Sequence, residues 1–188
     1  MKSIFAALLF AFALPIAAQQ ARITEEIRSL KTYPFGDPND IPILVKDTRL
    51  YPYHTFEGYS HESEMQNWKV VKLENEFIEV YVLPEAGGKV WGAIEKATGQ
   101  EFIYRNEVMK FRNIALRGPW TSGGIEFNFG VIGHTPSTAS AVNYKLIENE
   151  DGSVSCWVGS TDLPSHATWR VEIRLPAETS YFETNVTF

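Results

Sequence analysis

The run ATWRVEIRL, residues 167–175, alternates with a period of two. Trp169, Val171, Ile173 and Leu175 fall on one side, and Arg170, Glu172 and Arg174 on the other. Only an extended strand places every second residue on one face, so this segment must lay its apolar side on a core. From Trp68 onward the chain keeps offering such segments. WKVVKL leads through Glu74-Asn75-Glu76 into FIEVYVL, whose two faces are both largely apolar, as in a strand covered on both sides. PEAGG turns the chain into KVWGAI, and Ala97-Thr98-Gly99 turns it again before EFIY. Residues 140–147 and 153–158 flank Asn149-Glu150-Asp151-Gly152, a hairpin signal because Asp-Gly suits the positive φ angles of tight turns. YFETNVTF closes the series. Short strands separated by turns predict an all-β, antiparallel sandwich.

The segment before Trp68 reads differently. Ile4 to Ile16 form an apolar core behind Lys2, and Ala17-Ala18 supply small residues before Gln19. That is the pattern of a secretory signal peptide over residues 1–18, too short for a bilayer span of ~20 apolar residues. Ile23, Ile27 and Leu30 share a face at helical spacing, so Arg22 to Lys31 is expected to be a helix. Prolines at 34, 38, 42 and 52 then suggest an extended arm, completing a region of 19–67 ahead of a sandwich domain at 68–188. The apolar strand pattern runs up to Phe188, which leads us to expect the N-terminal portion of a longer protein.

Charge narrows the partners. The chain carries 17 basic and 23 acidic side chains, a net charge of −6, and loss of the leader removes only Lys2 from the basic set. No basic stripe exists to neutralise phosphates, so nucleic acid is not an expected partner. The mature protein is expected in a periplasm or outside the cell, with no membrane attachment after cleavage. Cys156, the single cysteine, lies among apolar residues in VSCWVG and reads as a core side chain. Four scattered histidines give no structural zinc pattern, and no cofactor or metal is expected.

Chemistry concentrates in RGPWTSGGIEFNFGVIGHTPST, residues 117–138, where five glycines separate Arg117, Trp120, Glu126, Asn128 and His134. Glu126 and Asn128 stand two apart, so on a strand they share a face while Ile125, Phe127 and Phe129 take the other. A carboxylate and an amide presented together suit the hydroxyls of a sugar, with Glu126 also able to act as acid or base. An ordinary solvated strand face explains the pair almost as well. His134 suits proton transfer near neutrality, or simply caps its loop. Trp120 is a stacking platform or a packing residue, and Arg117 a carboxylate grip or a surface ion pair. Two softer clusters join the list of substrate-binding candidates. His54 and His61 in YPYHTFEGYSHESE could form one rim of a cleft, or with Glu57 and Glu62 could instead hold a metal, although the spacing matches no strong metal signature. Arg105 in YRNE has a solvated turn as its alternative.

The runs LPEAGGKVWGAIEKATGQEFIYRNEV, ALRGPWTSGGIEFNFG and GHTPST resemble a bacterial family of unknown function, over roughly Tyr33 to Phe188. The resemblance implies a galactose-mutarotase-like super-sandwich whose concave face holds carbohydrate. It also implies a longer protein that often continues into C-terminal tetratricopeptide-type helical repeats. Proteins similar in that fold include epimerases, mutarotases and non-catalytic domains, so the fold alone selects no reaction. Mutarotases use a His acid and a late Glu base; this chain has no position matching that Glu. Glu126 and His134 match the family's own motif instead. The functional expectation is therefore carbohydrate binding or processing, with a non-catalytic binding or structural partner domain as the alternative.

Overall fold

A computed structural model describes residues 20–37, 40, 58–113, 119–129, 136–162 and 165–188. It is almost wholly β. Eleven strands are present among these residues: β1 (Arg22–Tyr33), β2 (Glu64–Glu74), β3 (Ile78–Leu83), β4 (Lys89–Glu95), β5 (Gln100–Ile103), β6 (Val108–Asn113), β7 (Pro119–Thr121), β8 (Asn143–Glu148), β9 (Val154–Thr161), β10 (Thr168–Leu175) and β11 (Glu183–Thr187). They form a seven-stranded sheet in the order β5-β4-β3-β2-β1-β6-β7 and a four-stranded sheet in the order β11-β10-β9-β8. Every named pairing is antiparallel except β1 with β6, which is parallel at Lys31–Tyr33. A short 3-10 helix, Pro136–Ala139, precedes β8.

The alternation in β10 does what the sequence demands. Trp169, Val171, Ile173 and Leu175 are buried and meet Val154, Cys156 and Val158 of β9. Facing them across the sandwich are Val71 and Leu73 of β2, Ile78, Val80 and Val82 of β3, and Val90 and Ala93 of β4. Each fully buried aliphatic side chain contributes roughly 1.5–3 kcal/mol, so this inter-sheet layer is the main source of stability. Burial also pushes the Cys156 thiol up to about 12, which makes it the inert core residue expected. Asn75 stitches the sheets at one end. Its Oδ1 accepts from the Phe77 and Ile78 amides at 2.8 and 2.9 Å, and its Nδ2 donates to the Pro176 and Thr179 carbonyls at 2.9 and 2.8 Å.

Residues 22–33 overturn the expected helix. They form the longest strand, paired with β2 from Arg22↔Glu74 to Thr32↔Glu64. The spacing that links Ile23 and Ile27 on a helix also puts them on one face of a strand, so the pattern was compatible with both periods. Pairing with β2 along the whole length, and with β6 at the end, decided for the strand. Among the described residues the large sheet therefore begins at Arg22, and β2 runs through residue 68.

The second face of the large sheet has its own core of Trp68, Val70, Tyr81, Leu83, Trp91, Met109 and Phe111. These come from β2, β3, β4 and β6, so the sheet curls around them. The curl is fastened by the chain after β7. Four residues beyond Thr121, Ile125 exchanges backbone hydrogen bonds with Val90 of β4, at 2.8 and 3.1 Å. Gly124 makes this approach with φ +71°, and a Cβ there would overlap the Val90 carbonyl oxygen. Gly124→Ala should therefore combine left-handed strain with a backbone clash and destabilise the fold by about 2 kcal/mol or more, measured by urea melts. An unchanged midpoint would show that the fastening is dispensable.

Candidate functional site

The curled face brings cations onto aromatic rings. On β1, Arg28 lies on the same face as Leu30 and Thr32, opposite Trp68 in the β1–β2 register. Its guanidinium carbon stands 4.3 Å from the Tyr81 ring centre and 5.9 Å from that of Trp91. Arg105, from the β5–β6 connection, reaches the same two rings at 5.0 and 5.3 Å. The aliphatic stem of Arg105 runs over Gly92 so closely that a Cβ there would stand 3.0 Å from the arginine's own Cβ. Glycine at the centre of β4 is thus what lets Arg105 lie flat. Each arginine is held by a carboxylate, Arg28 Nε by Glu26 and Arg105 Nε by Glu101, both at 2.7 Å.

Beside these groups opens a cavity of about 690 Å³, lined by Arg28, Leu30, Trp91, Glu101 and residues 104–108. That volume is in the range of small-molecule sites. Trp91 is buried, yet its Nε1 has no hydrogen-bond acceptor among the described residues. Tyr81 donates to Glu79, and burial first, then that hydrogen bond, raises the phenol above its ordinary range. The glycine-rich stretch reaches the cavity's rim. Gly124 N donates to the Tyr104 carbonyl at 2.7 Å, and Asn106 Nδ2 to the Ser122 carbonyl at 2.8 Å. A second depression of about 490 Å³ lies over β8–β10, lined in part by Trp157, Lys145 and Arg170.

A buried lysine sits at the fastening itself. Lys89 is 3% exposed and donates through Nζ to the Thr121 carbonyl at 2.9 Å. Burial pulls its ammonium down to about 8, against the opposing pull of the Glu126 carboxylate. Among the described residues, no group of three or more His, Cys, Asp and Glu side chains is placed to hold a metal ion.

The candidates from the sequence are scattered by this geometry. Arg105 lines the cavity. Glu126 is half-buried beside Lys89, and Asn128 is exposed. The expected strand at 125–129 is a correction: only Ile125 bridges, and residues 126–129 are irregular. The alternation nevertheless holds, because Ile125, Phe127 and Phe129 all pack on the inter-sheet core. The segment comes to β4 edge-on for a single bridge and then leaves, since β5 occupies the rest of that edge at Ala93–Glu95. Trp120 is half-buried in β7 opposite Arg112, and His61 is exposed ahead of β2. His54, Arg117 and His134 lie outside the described residues. Arg28, Trp91, Tyr81 and Lys89 escaped sequence reasoning. Arg28 was hidden by the helical reading of its segment, whereas Gly92 inside an apolar strand was a usable sign of close approach.

Residues 45–188 match the family described as domain of unknown function (DUF5107). A solved structure of a TPR-domain containing protein from Parabacteroides distasonis superimposes with a TM-score of 0.80 at 24% identity, over 90% of this chain and 29% of that one. That likeness shows a shared fold. The chain spans less than a third of the length of that neighbour.

Lys89 gives the site a measurable signature. Below about pH 8 the ammonium is charged in both folded and unfolded chains, and the fold carries the full penalty of burying it. Between about 8 and the ordinary 10.5, only the unfolded chain holds the proton, so stability rises with pH by on the order of 3 kcal/mol. Lys89→Met should accordingly be the more stable protein at pH 7, by that amount less about 1 kcal/mol for the lost hydrogen bond. Denaturant melts should show this advantage shrinking and then disappearing toward pH 10.5; a difference constant with pH would contradict the assignment.

Proposed function

The chain belongs to the DUF5107 family, whose function is unknown, and from its own cavity we propose that it binds a carbohydrate on the curled face of its large sheet. The observation that carries this reading is the lining of the 690 Å³ cavity: the Trp91 side chain, two guanidiniums, two carboxylates and an amide around one opening. A saccharide presents alternating hydroxyl donors and acceptors, and this mixture of fixed donors and acceptors answers them. The leader-like residues 1–18 support this reading, since a signal peptide would send the protein to a periplasm or outside the cell, where glycans are met. Among the described residues no helix is long and apolar enough to cross a membrane. The neighbour's description as TPR-domain containing supports helical repeats as companions of this domain in a longer protein.

A second reading, acid–base processing of the glycan, is favoured by one observation. Lys89 and Glu126 form a buried amine and a half-buried carboxylate, with the amine brought close to neutrality. Glu126→Gln separates the readings on any glycan the protein turns over: loss of turnover with affinity kept is expected for catalysis, and unchanged turnover removes Glu126 from it.

Binding itself is tested by a glycan array followed by calorimetry. Trp91→Phe keeps an aromatic ring in the core but removes the N–H together with part of the indole that lines the cavity. With folding checked by melting, it should weaken binding of a positive glycan by roughly five- to tenfold, on the scale of about 1–1.5 kcal/mol. A glycan bound with undiminished affinity by this variant would move the site elsewhere.

A further inference from the structure

The donors around the cavity suit more than hydroxyls. Arg28 and Arg105 are drawn to the same pair of rings from separate parts of the chain, all four guanidinium-to-ring distances lying between 4.3 and 5.9 Å. Their side chains are only 27% and 23% exposed, so two like charges converge with reduced help from water. Glu26 and Glu101 offset part of that repulsion. Yet a guanidinium has five N–H donors, and Glu26 with the Tyr81 hydroxyl on Arg28, or Glu101 on Arg105, does not use them all. Trp91 lines the same cavity, and its Nε1 is buried without an acceptor among the described residues. Planar, paired donors of this kind match a carboxylate.

We propose that the cavity takes an acidic saccharide, with the carboxylate of a uronate-type ring held between Arg28 and Arg105 and its hydroxyls read by Glu101, Asn106 and Glu107. This rests on the reading of the cavity as a saccharide site and names the class of sugar. Glu101 and Glu107 match the two arginines in number on the lining, and the whole chain carries −6, so a long polyanion is repelled. The ligand is a short acidic oligosaccharide, or the end of one.

The test is calorimetry at low salt with digalacturonate, with the neutral digalactose of the same linkage, and with acetate. Wild type should bind digalacturonate, bind the neutral sugar at least tenfold more weakly, and ignore acetate. Arg28→Gln and Arg105→Gln should each lower digalacturonate affinity tenfold or more, while Arg170→Gln on the small sheet leaves it unchanged. Melting curves show whether each variant folds. Should Arg28→Gln fail, Arg105→Gln, on a connection outside the strands, carries the test. Equal binding of acidic and neutral sugars, unmoved by the glutamines, overturns the carboxylate grip and leaves the saccharide reading standing. Acetate bound as tightly as digalacturonate overturns the sugar as ligand. Binding of neutral glycans alone on an array overturns the acidic class, and binding of no glycan, acidic or neutral, overturns both readings.

Discussion

The return of the chain from β7 onto β4 is the constraint on which the rest depends. Thr121 stands at one edge of the seven-stranded sheet, and four residues later Ile125 pairs with Val90 near the other edge. A flat sheet does not allow that. The sheet must curl, and the curl gives its second face an interior of Trp68, Tyr81, Trp91 and Phe111 instead of open solvent. Gly124 permits the contact, and Lys89 reaches Thr121 across it. A buried ammonium is an expensive way to fasten two segments, and a lysine so placed is a reason to look for chemistry near it.

The two faces of the large sheet consequently do different work. One face packs β2, β3 and β4 against β9 and β10 in a dry aliphatic layer that resembles any sandwich core. On the other face, aromatic rings carry arginines, and the arginines carry carboxylates. Tyr81 and Trp91 are buried, so their contribution is to hold Arg28 and Arg105 through their ring faces. A ring face holds a cation without occupying its N–H groups, and the Tyr81 hydroxyl takes only one of the five on Arg28. That leaves the guanidiniums fixed in position and able to meet a ligand, the preorganisation a binding site needs.

Much of the fold was legible in the residues. The period-two run of β10 was visible because it has a face that must be buried, β3 and β4 were visible as apolar segments bounded by turns, and the Asp-Gly turn between β8 and β9 named its hairpin. β1 was not, because Ile23, Ile27 and Leu30 fit a helix until pairing on both edges is known. The site was legible only where local sequence carries it. Arg105 could be suspected from YRNE at a strand end. Arg28, Tyr81 and Trp91 become neighbours only through the sheet order, a long-range fact that local pattern does not contain. The strand reading of Glu126 did not survive: its segment is irregular, and its carboxylate acts on the buried Lys89 rather than standing beside a strand-mate Asn128.

The central claim is that the ligand sits against Trp91 on the curled face. The chain has five tryptophans, and each gives its own indole N–H signal in a nitrogen–proton correlation spectrum. Titration with a bound saccharide should shift the Trp91 signal most, as the ligand settles against the side chain that lines the cavity, while Trp157 and Trp169 on the small sheet stay in place. A titration in which Trp157 moves and Trp91 does not would put the ligand on the small sheet and contradict the account.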